Sequence, residues 1–210
     1  MKSKIQSYIK SRLFILSPYI GVITGLYFFR SAFLAIIIYH AGIVLSLIFI
    51  KSSYNFRDLF RFKSRTLLIT SALVCSLAGI SVLLLWDFIK PAELDLLRTM
   101  TELGLTGIWK PVFLLYFSLI HPFLEESYWR FHLPSTGRAV SCDDLFFALY
   151  HTLVLYLFLK TWAVVLCFVG LLFAAAVWRY LKERRGDNLA VLLSHAVADF
   201  SIMSAVFFLY

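Results

Sequence analysis

Seven long apolar stretches alternate with short clusters of charge along this chain, at 13–29, 32–50, 66–86, 108–131, 145–159, 161–178 and 189–210. An apolar run of about 20 residues is what a helix needs to cross the hydrocarbon of a bilayer. Composition points the same way: 61% of the 210 residues are hydrophobic and only 15% are charged. Mean hydropathy is +0.84. A soluble domain of this size keeps roughly a quarter of its residues charged. The expected fold class is all-α, a polytopic membrane helix bundle of about seven transmembrane helices.

Lysine and arginine concentrate on the cytoplasmic side of short loops. One set of alternate loops, including 1–12, 51–65 and 179–187, holds fifteen basic residues, and the other set holds five. The bias predicts a cytoplasmic N-terminus. The first apolar run follows a basic stretch, as in a signal peptide, but no small-residue cleavage site follows it, so it reads as a membrane helix. The net charge of +8 is explained by this topology, and no nucleic-acid partner is implied. Cys75, Cys142 and Cys167 share no ligand spacing and imply no disulfide framework. Cys142, in a loop at a membrane boundary, is either an inert surface thiol or a palmitoylation site.

Two connections are tight. Arg30-Ser31 and Lys160 must each turn the chain without glycine or proline, and an unbroken helix over 145–178 would be about 51 Å long, too long for the roughly 30 Å core. A break at Lys160 follows. Residues 87–110 read as an amphipathic stretch along the outer surface, with Leu94, Leu97 and Leu103 available to touch it. Residues 1–65 form an N-terminal two-helix region with a basic loop, and 66–210 the remaining bundle.

Ionisable residues inside such spans are expensive and mark function by default. They are His40, His121, Glu125, Glu126, Arg130, His151, His195 and Asp199. Counted from the cytoplasmic ends of their spans, Glu125, His151 and His195 all fall about 10 Å deep at 1.5 Å per residue. Asp199 is one turn beyond His195 on the same face. Glu126 and Arg130 are an i, i+4 pair suited to a salt bridge, and Pro122 removes a helix hydrogen bond just before the glutamates. His40 and His121 read as packed histidines, His132 as solvated near the boundary, and Phe147 as mostly lipid-facing bulk one turn from His151.

In order, these residues spell Glu125-Glu126-Ser127-Tyr128-Trp129-Arg130, Phe147-Ala148-Leu149-Tyr150-His151 and His195-Ala196-Val197-Ala198-Asp199. Over about 108–210, the chain resembles the CAAX protease and bacteriocin-processing (CPBP, or ABI) family of intramembrane glutamic endopeptidases. Phe131 stands where members often carry glycine, and Asp199 where the eukaryotic members have asparagine. The resemblance implies a catalytic set of Glu125, Glu126, His151, His195 and Asp199, supported by Arg130 and Phe147. In it, Glu125 activates a water, His151 positions that water and shuttles its proton, and His195 with Asp199 stabilises the oxyanion. Glu126 and Arg130 are structural partners. No cofactor is implied.

Other readings of the same residues stay open. Glu125, His151, His195 and Asp199 could ligate Zn²⁺ in a metalloprotease, although no HExxH is present. Buried Glu, His and Asp also build ion-coupled transporters. A non-catalytic immunity or scaffolding protein, or a polar network that only holds the bundle together, would use them too. The expected partners are the lipid bilayer and a membrane-embedded or lipidated peptide substrate, and the compact chain suits a bacterial inner membrane.

Overall fold

The computed structural model describes residues 13–49, 55–133 and 140–210, and every regular element within them is helical. In chain order these are α1 (Phe14–Phe28), α2 (Ala32–Phe49), a 3-10 segment (Phe56–Phe60), α3 (Arg65–Ile89) and the short α4 (Leu96–Glu102). Then come α5 (Trp109–Glu125, prolonged by a π-helical stretch Glu126–His132), α6 (Cys142–Leu155), α7 (Thr161–Arg185) and α8 (Asn188–Phe208). Four of them, α2, α3, α7 and α8, are each long and apolar enough to cross a membrane. With α1, α5 and α6 they make the seven stations expected from the apolar runs. The basic residues of 1–12, Lys51 and Arg138 lie outside the described residues.

Polarity is inside out relative to a soluble protein. Leu73, Val74 and Leu84 of α3 are 62–75% exposed, whereas Glu125, Glu126, Arg130 and His195 are buried. In water this surface would aggregate; against lipid it costs nothing, and the ionisable groups gather where protein surrounds them. The chain is an integral membrane protein.

Both tight turns form as the lengths require. Arg30 takes a left-handed backbone, φ 50°, a conformation a non-glycine residue adopts only when its surroundings impose it. Here the Ser31 N–H donates to the Gly25 carbonyl at 2.7 Å and the Ala32 N–H to the Leu103 carbonyl at 3.1 Å. At Lys160 the backbone is extended, ψ 148°. Its N–H and Nζ both donate to the end of α3, at the carbonyls of Ile89 and Phe88, each at 2.8 Å.

The stretch before α5 departs from the expected surface segment. Leu96–Glu102 is helical, and Leu96, Met100 and Leu103 turn inward against the bundle, while Leu97 is exposed. Leu94 is half-buried against the core. Cys142 is not in a loop: it opens α6 and is exposed.

Helices approach closely where side chains are small, which is how helices associate without a hydrophobic gradient between protein and lipid. A Cβ on Gly25 would sit 2.3 Å from the Ala35 nitrogen, so glycine is required where α1 packs on α2. At Gly79 of α3, a Cβ would sit 2.2 Å from the Ser201 carbonyl oxygen of α8, and the Gly79 N–H meets Ser201 Oγ at 3.2 Å. Gly79→Val is therefore expected to cost about 1–3 kcal/mol or more by overpacking. A lowered midpoint of thermal unfolding in detergent would register it, and an unchanged midpoint would deny the close approach of α3 and α8.

The start of α6 is anchored by a buried polar cluster. Ser141 and Asp144 form a capping box, which satisfies two orphan N–H groups at once. From α7, Arg179 donates through Nε and Nη2 to the two Asp144 oxygens at 2.9 and 2.7 Å, and through Nη2 to Ser141 Oγ at 2.9 Å. Asp144 precedes the apolar run of its helix. Burial pushes its carboxyl up, but the Arg179 hydrogen bonds and the nearby Arg130 charge prevail and hold it below the ordinary carboxylate value. The sign follows: this pairing stabilises the fold above the ordinary value near pH 4 and is lost as pH falls below it. Asp144→Ala, which removes the closest carboxylate from a buried guanidinium and leaves it the longer 3.5 Å contact with Glu183, is expected to cost about 3 kcal/mol at neutral pH. Parallel melts at pH 7 and at low pH should show the mutant and wild type converging in acid; a gap that stays constant would refute the pairing.

Candidate active site

Three helices bring the motif residues to one buried cluster, and a fourth completes it. Glu125 ends the regular part of α5 and Glu126 opens its π-helical stretch. Pro122, inside that helix, cannot donate a backbone hydrogen bond, and the backbone beyond Glu125 widens into π-helical turns, a distortion common at functional sites. α6 supplies Phe147, Tyr150 and His151; α8 supplies His195 and Asp199; α2 supplies Tyr39.

The two oxygens of Glu125 have different surroundings. Oε1 accepts short hydrogen bonds from the hydroxyls of Tyr39 and Tyr150. Oε2 is buried with no hydrogen-bond partner among the described residues. It faces His121 Nε2 at 3.4 Å and His195 Nε2 at 3.5 Å. Tyr39 is itself held by Trp129, whose indole N–H donates to its hydroxyl at 2.7 Å.

His195 stands at the centre. Its Nδ1 lies 2.8 Å from Glu126 Oε1, and its Nε2 lies 3.5 Å from Glu125 Oε2 and 3.7 Å from Asp199 Oδ2. Trp178 stacks on the ring at 4.4 Å. Asp199 Oδ2 also has no hydrogen-bond partner among the described residues. A carboxylate oxygen, an imidazole nitrogen and a second carboxylate oxygen therefore face one another at this point.

His151 reaches Glu125 indirectly. Its Nδ1 lies 2.7 Å from the Phe147 carbonyl oxygen and so carries the proton there, while its Nε2 lies 3.1 Å from the Tyr150 hydroxyl. Tyr150 has one proton to give. Its hydroxyl lies between Glu125 Oε1 and His151 Nε2, and that proton, donated to Oε1 at rest, serves only one of the two at a time.

Glu126 and Arg130 are paired loosely, Nε to Oε2 at 3.9 Å. The guanidinium lies instead over the Phe147 ring, 4.6 Å from its centroid, with Trp178 at 5.8 Å. The stronger partner of Glu126 is His195. Phe147 is fully buried among Trp129, Tyr150, His151 and His195, which corrects its reading as apolar bulk at the lipid. His132 is also buried rather than solvated, with Nε2 3.1 Å from Ser46 Oγ. His40 and His121 are packed, as expected, but they hydrogen-bond to each other rather than stand alone. Tyr39 and Tyr150 were missed by sequence reasoning. The only available signal was a hydroxyl beside a histidine inside an apolar run, which aromatic-rich membrane helices carry routinely.

Among the described residues no group of three or more His, Cys, Asp or Glu side chains is arranged to hold a metal ion. Residues 107–201 match the family model described as Type II CAAX prenyl endopeptidase Rce1-like. No curated protein and no solved structure matches the chain. The matched segment contains all three motifs and excludes Tyr39 and His40.

Proposed function

We propose that this protein is an intramembrane peptide hydrolase in which Glu125 activates the attacking water, a reading supported by the match of residues 107–201 to the Rce1-like CAAX endopeptidase family model. The observation that carries the reading is the division of labour on that carboxylate. Oε1 is anchored by two tyrosine hydroxyls, while Oε2 accepts no hydrogen bond from the described residues and faces His121 and His195. A base must be held in place and still keep a lone pair for the proton it takes.

Water bound at Oε2 gives its proton to Glu125 as its oxygen attacks the scissile carbonyl. Negative charge develops on the carbonyl oxygen, and His195 Nε2 is the donor placed to meet it. Because Nδ1 of His195 is committed to Glu126, Nε2 donates only as part of an imidazolium. Glu126 and Asp199 balance that charge. A donor preorganised in a dry site stabilises an oxyanion far better than water does. The proton on Glu125 then passes to the leaving amine, with Tyr150 and His151 as the adjoining proton-bearing pair.

In this reading the excess of lysine and arginine in alternate loops puts the 3-10 segment and the ends of α5 and α7 on the cytoplasmic side, together with the N-terminus. Glu125 lies seven residues before the end of that π-helical stretch, about 10 Å deep by helix rise. A site at this depth suits a peptide whose lipid tail lies in the cytoplasmic leaflet, so a lipidated C-terminal peptide is the proposed substrate class.

Purified protein in detergent should cleave farnesylated peptides in preference to unmodified ones of the same sequence, and a strong zinc chelator should leave the rate unchanged. Cleavage abolished by chelator and restored by zinc would make the metal reading correct. A folded wild type that cleaves neither peptide class would sink the proposal.

A further inference from the structure

His40 and His121 are buried, and the chemistry proposed above leaves both unused. Their rings stack with centroids 5.2 Å apart, and His40 Nε2 lies 2.9 Å from His121 Nδ1. At one end, His40 Nδ1 lies 2.7 Å from the hydroxyl of Tyr116, a half-buried residue of α5. At the other, His121 Nε2 lies 3.4 Å from Glu125 Oε2. Four side chains thus stand in single file, ending on the carboxylate oxygen assigned as the base.

A neutral imidazole has one N–H and one acceptor nitrogen, so with both rings neutral the file has two polarities. In the first, Tyr116 donates to His40 Nδ1, the His40 Nε2–H donates to His121 Nδ1, and the His121 Nε2–H faces Glu125. In the second, every proton is turned round and a bare nitrogen lone pair faces a carboxylate oxygen. Two acceptors opposed in a low-dielectric interior repel strongly. The carboxylate therefore selects the first polarity.

We propose that His121, its tautomer selected by the Glu125 carboxylate and supported by donation through His40 from Tyr116, is a positioning residue of the catalytic site that presents an N–H to Oε2 of Glu125. The role rests on the reading of Glu125 as the base. With Tyr39 and Tyr150 on Oε1, the His121 N–H, 3.4 Å from Oε2 and not hydrogen-bonded to it in the resting protein, gives the carboxylate a third point of reference when Oε2 meets the water. His40 comes from α2, outside the matched segment, so the N-terminal hairpin takes part in setting the base.

The tautomers are read first, in the resting protein, by ¹⁵N NMR of histidine-labelled material assigned with His40→Gln and His121→Gln. Both rings are expected as the Nε2–H form, and Tyr116→Phe, which removes the first donor, should move both signals. An Nδ1–H form at His121 would overturn the proposal. Kinetics follow on the farnesylated peptide. His121→Phe keeps an aromatic ring on Phe117, now stacked at 4.4 Å, but loses the N–H. It is expected to lower kcat about 10- to 100-fold with KM within about threefold. His121→Gln, whose amide N–H can reach the same oxygen, should recover most of that loss. Wild-type kcat in a folded His121→Phe, or an equal loss in His121→Gln, would refute the role. Should His121→Phe not fold, Tyr116→Phe decides: unmoved imidazole signals with unchanged kcat would refute it as well. A wild type inert on the peptide, yet showing the expected tautomers, would instead mark failure of the hydrolase reading.

Discussion

Replacing Glu125 by glutamine is expected to lower kcat by about 10³–10⁴-fold while the helix bundle stays folded. Glutamine has the same shape, and its carbonyl oxygen can still accept from Tyr39 and Tyr150, the two groups that hold Oε1. What changes is the other end. An amide nitrogen replaces Oε2, the buried oxygen that faces His195, and it has no lone pair for the water's proton. The loss should fall on kcat, because the substrate's remote contacts are untouched. The check pairs steady-state rates on a farnesylated peptide with a thermal melt of the same preparation. If the variant melts like wild type and cleaves within about tenfold of it, Glu125 is not the base.

His195→Gln should cost the next largest amount, about 10²–10³-fold in kcat, the scale of removing a preorganised donor to an oxyanion. Its ring is the meeting point of Glu126 at 2.8 Å, Glu125 at 3.5 Å and Asp199 at 3.7 Å. Because Glu126 is read as acting through His195, the two losses should not add. Glu126→Gln alone should lower kcat, but in the His195→Gln background it should lower it little further, as expected for residues that work as a unit. Fully additive effects would mean that Glu126 has a separate task, and the imidazolium reading would fall.

Much of the architecture was legible because lipid imposes simple rules. Apolar runs separated by charge located the helices, and the length of 145–178 alone required the break found at Lys160. The stretch 87–110 was harder. Leu97 faces out while Leu96, Met100 and Leu103 face in, and which side of a short helix is covered depends on neighbours distant in the chain. Phe147 and His132 misled for the same reason: in a membrane protein an apolar or aromatic residue is compatible with either lipid or core, so residue type no longer signals burial.

The motif residues were found because ionised groups in hydrocarbon are costly enough to stand out one by one. Their partners were not. Glu126 reads in sequence as a mate for Arg130, since both lie on one helix, but the tertiary packing places Nδ1 of His195 nearer to it and lays the guanidinium on Phe147. Tyr39 and Tyr150 converge on one oxygen of Glu125 from two different helices.

Residue order alone was enough to establish a helical membrane protein, the number of its apolar stations, and which side chains are too polar to be there without a reason. Hydropathy and charge act locally and are additive along the chain, so they can be read residue by residue. Which hydrogen bond each buried group makes, and so which oxygen of Glu125 is anchored by the tyrosines, came from the packing of distant helices. The pairing of Tyr39 with Glu125 spans 86 positions in sequence, and an angstrom-scale choice among several acceptable donors has no signature in the order of residues.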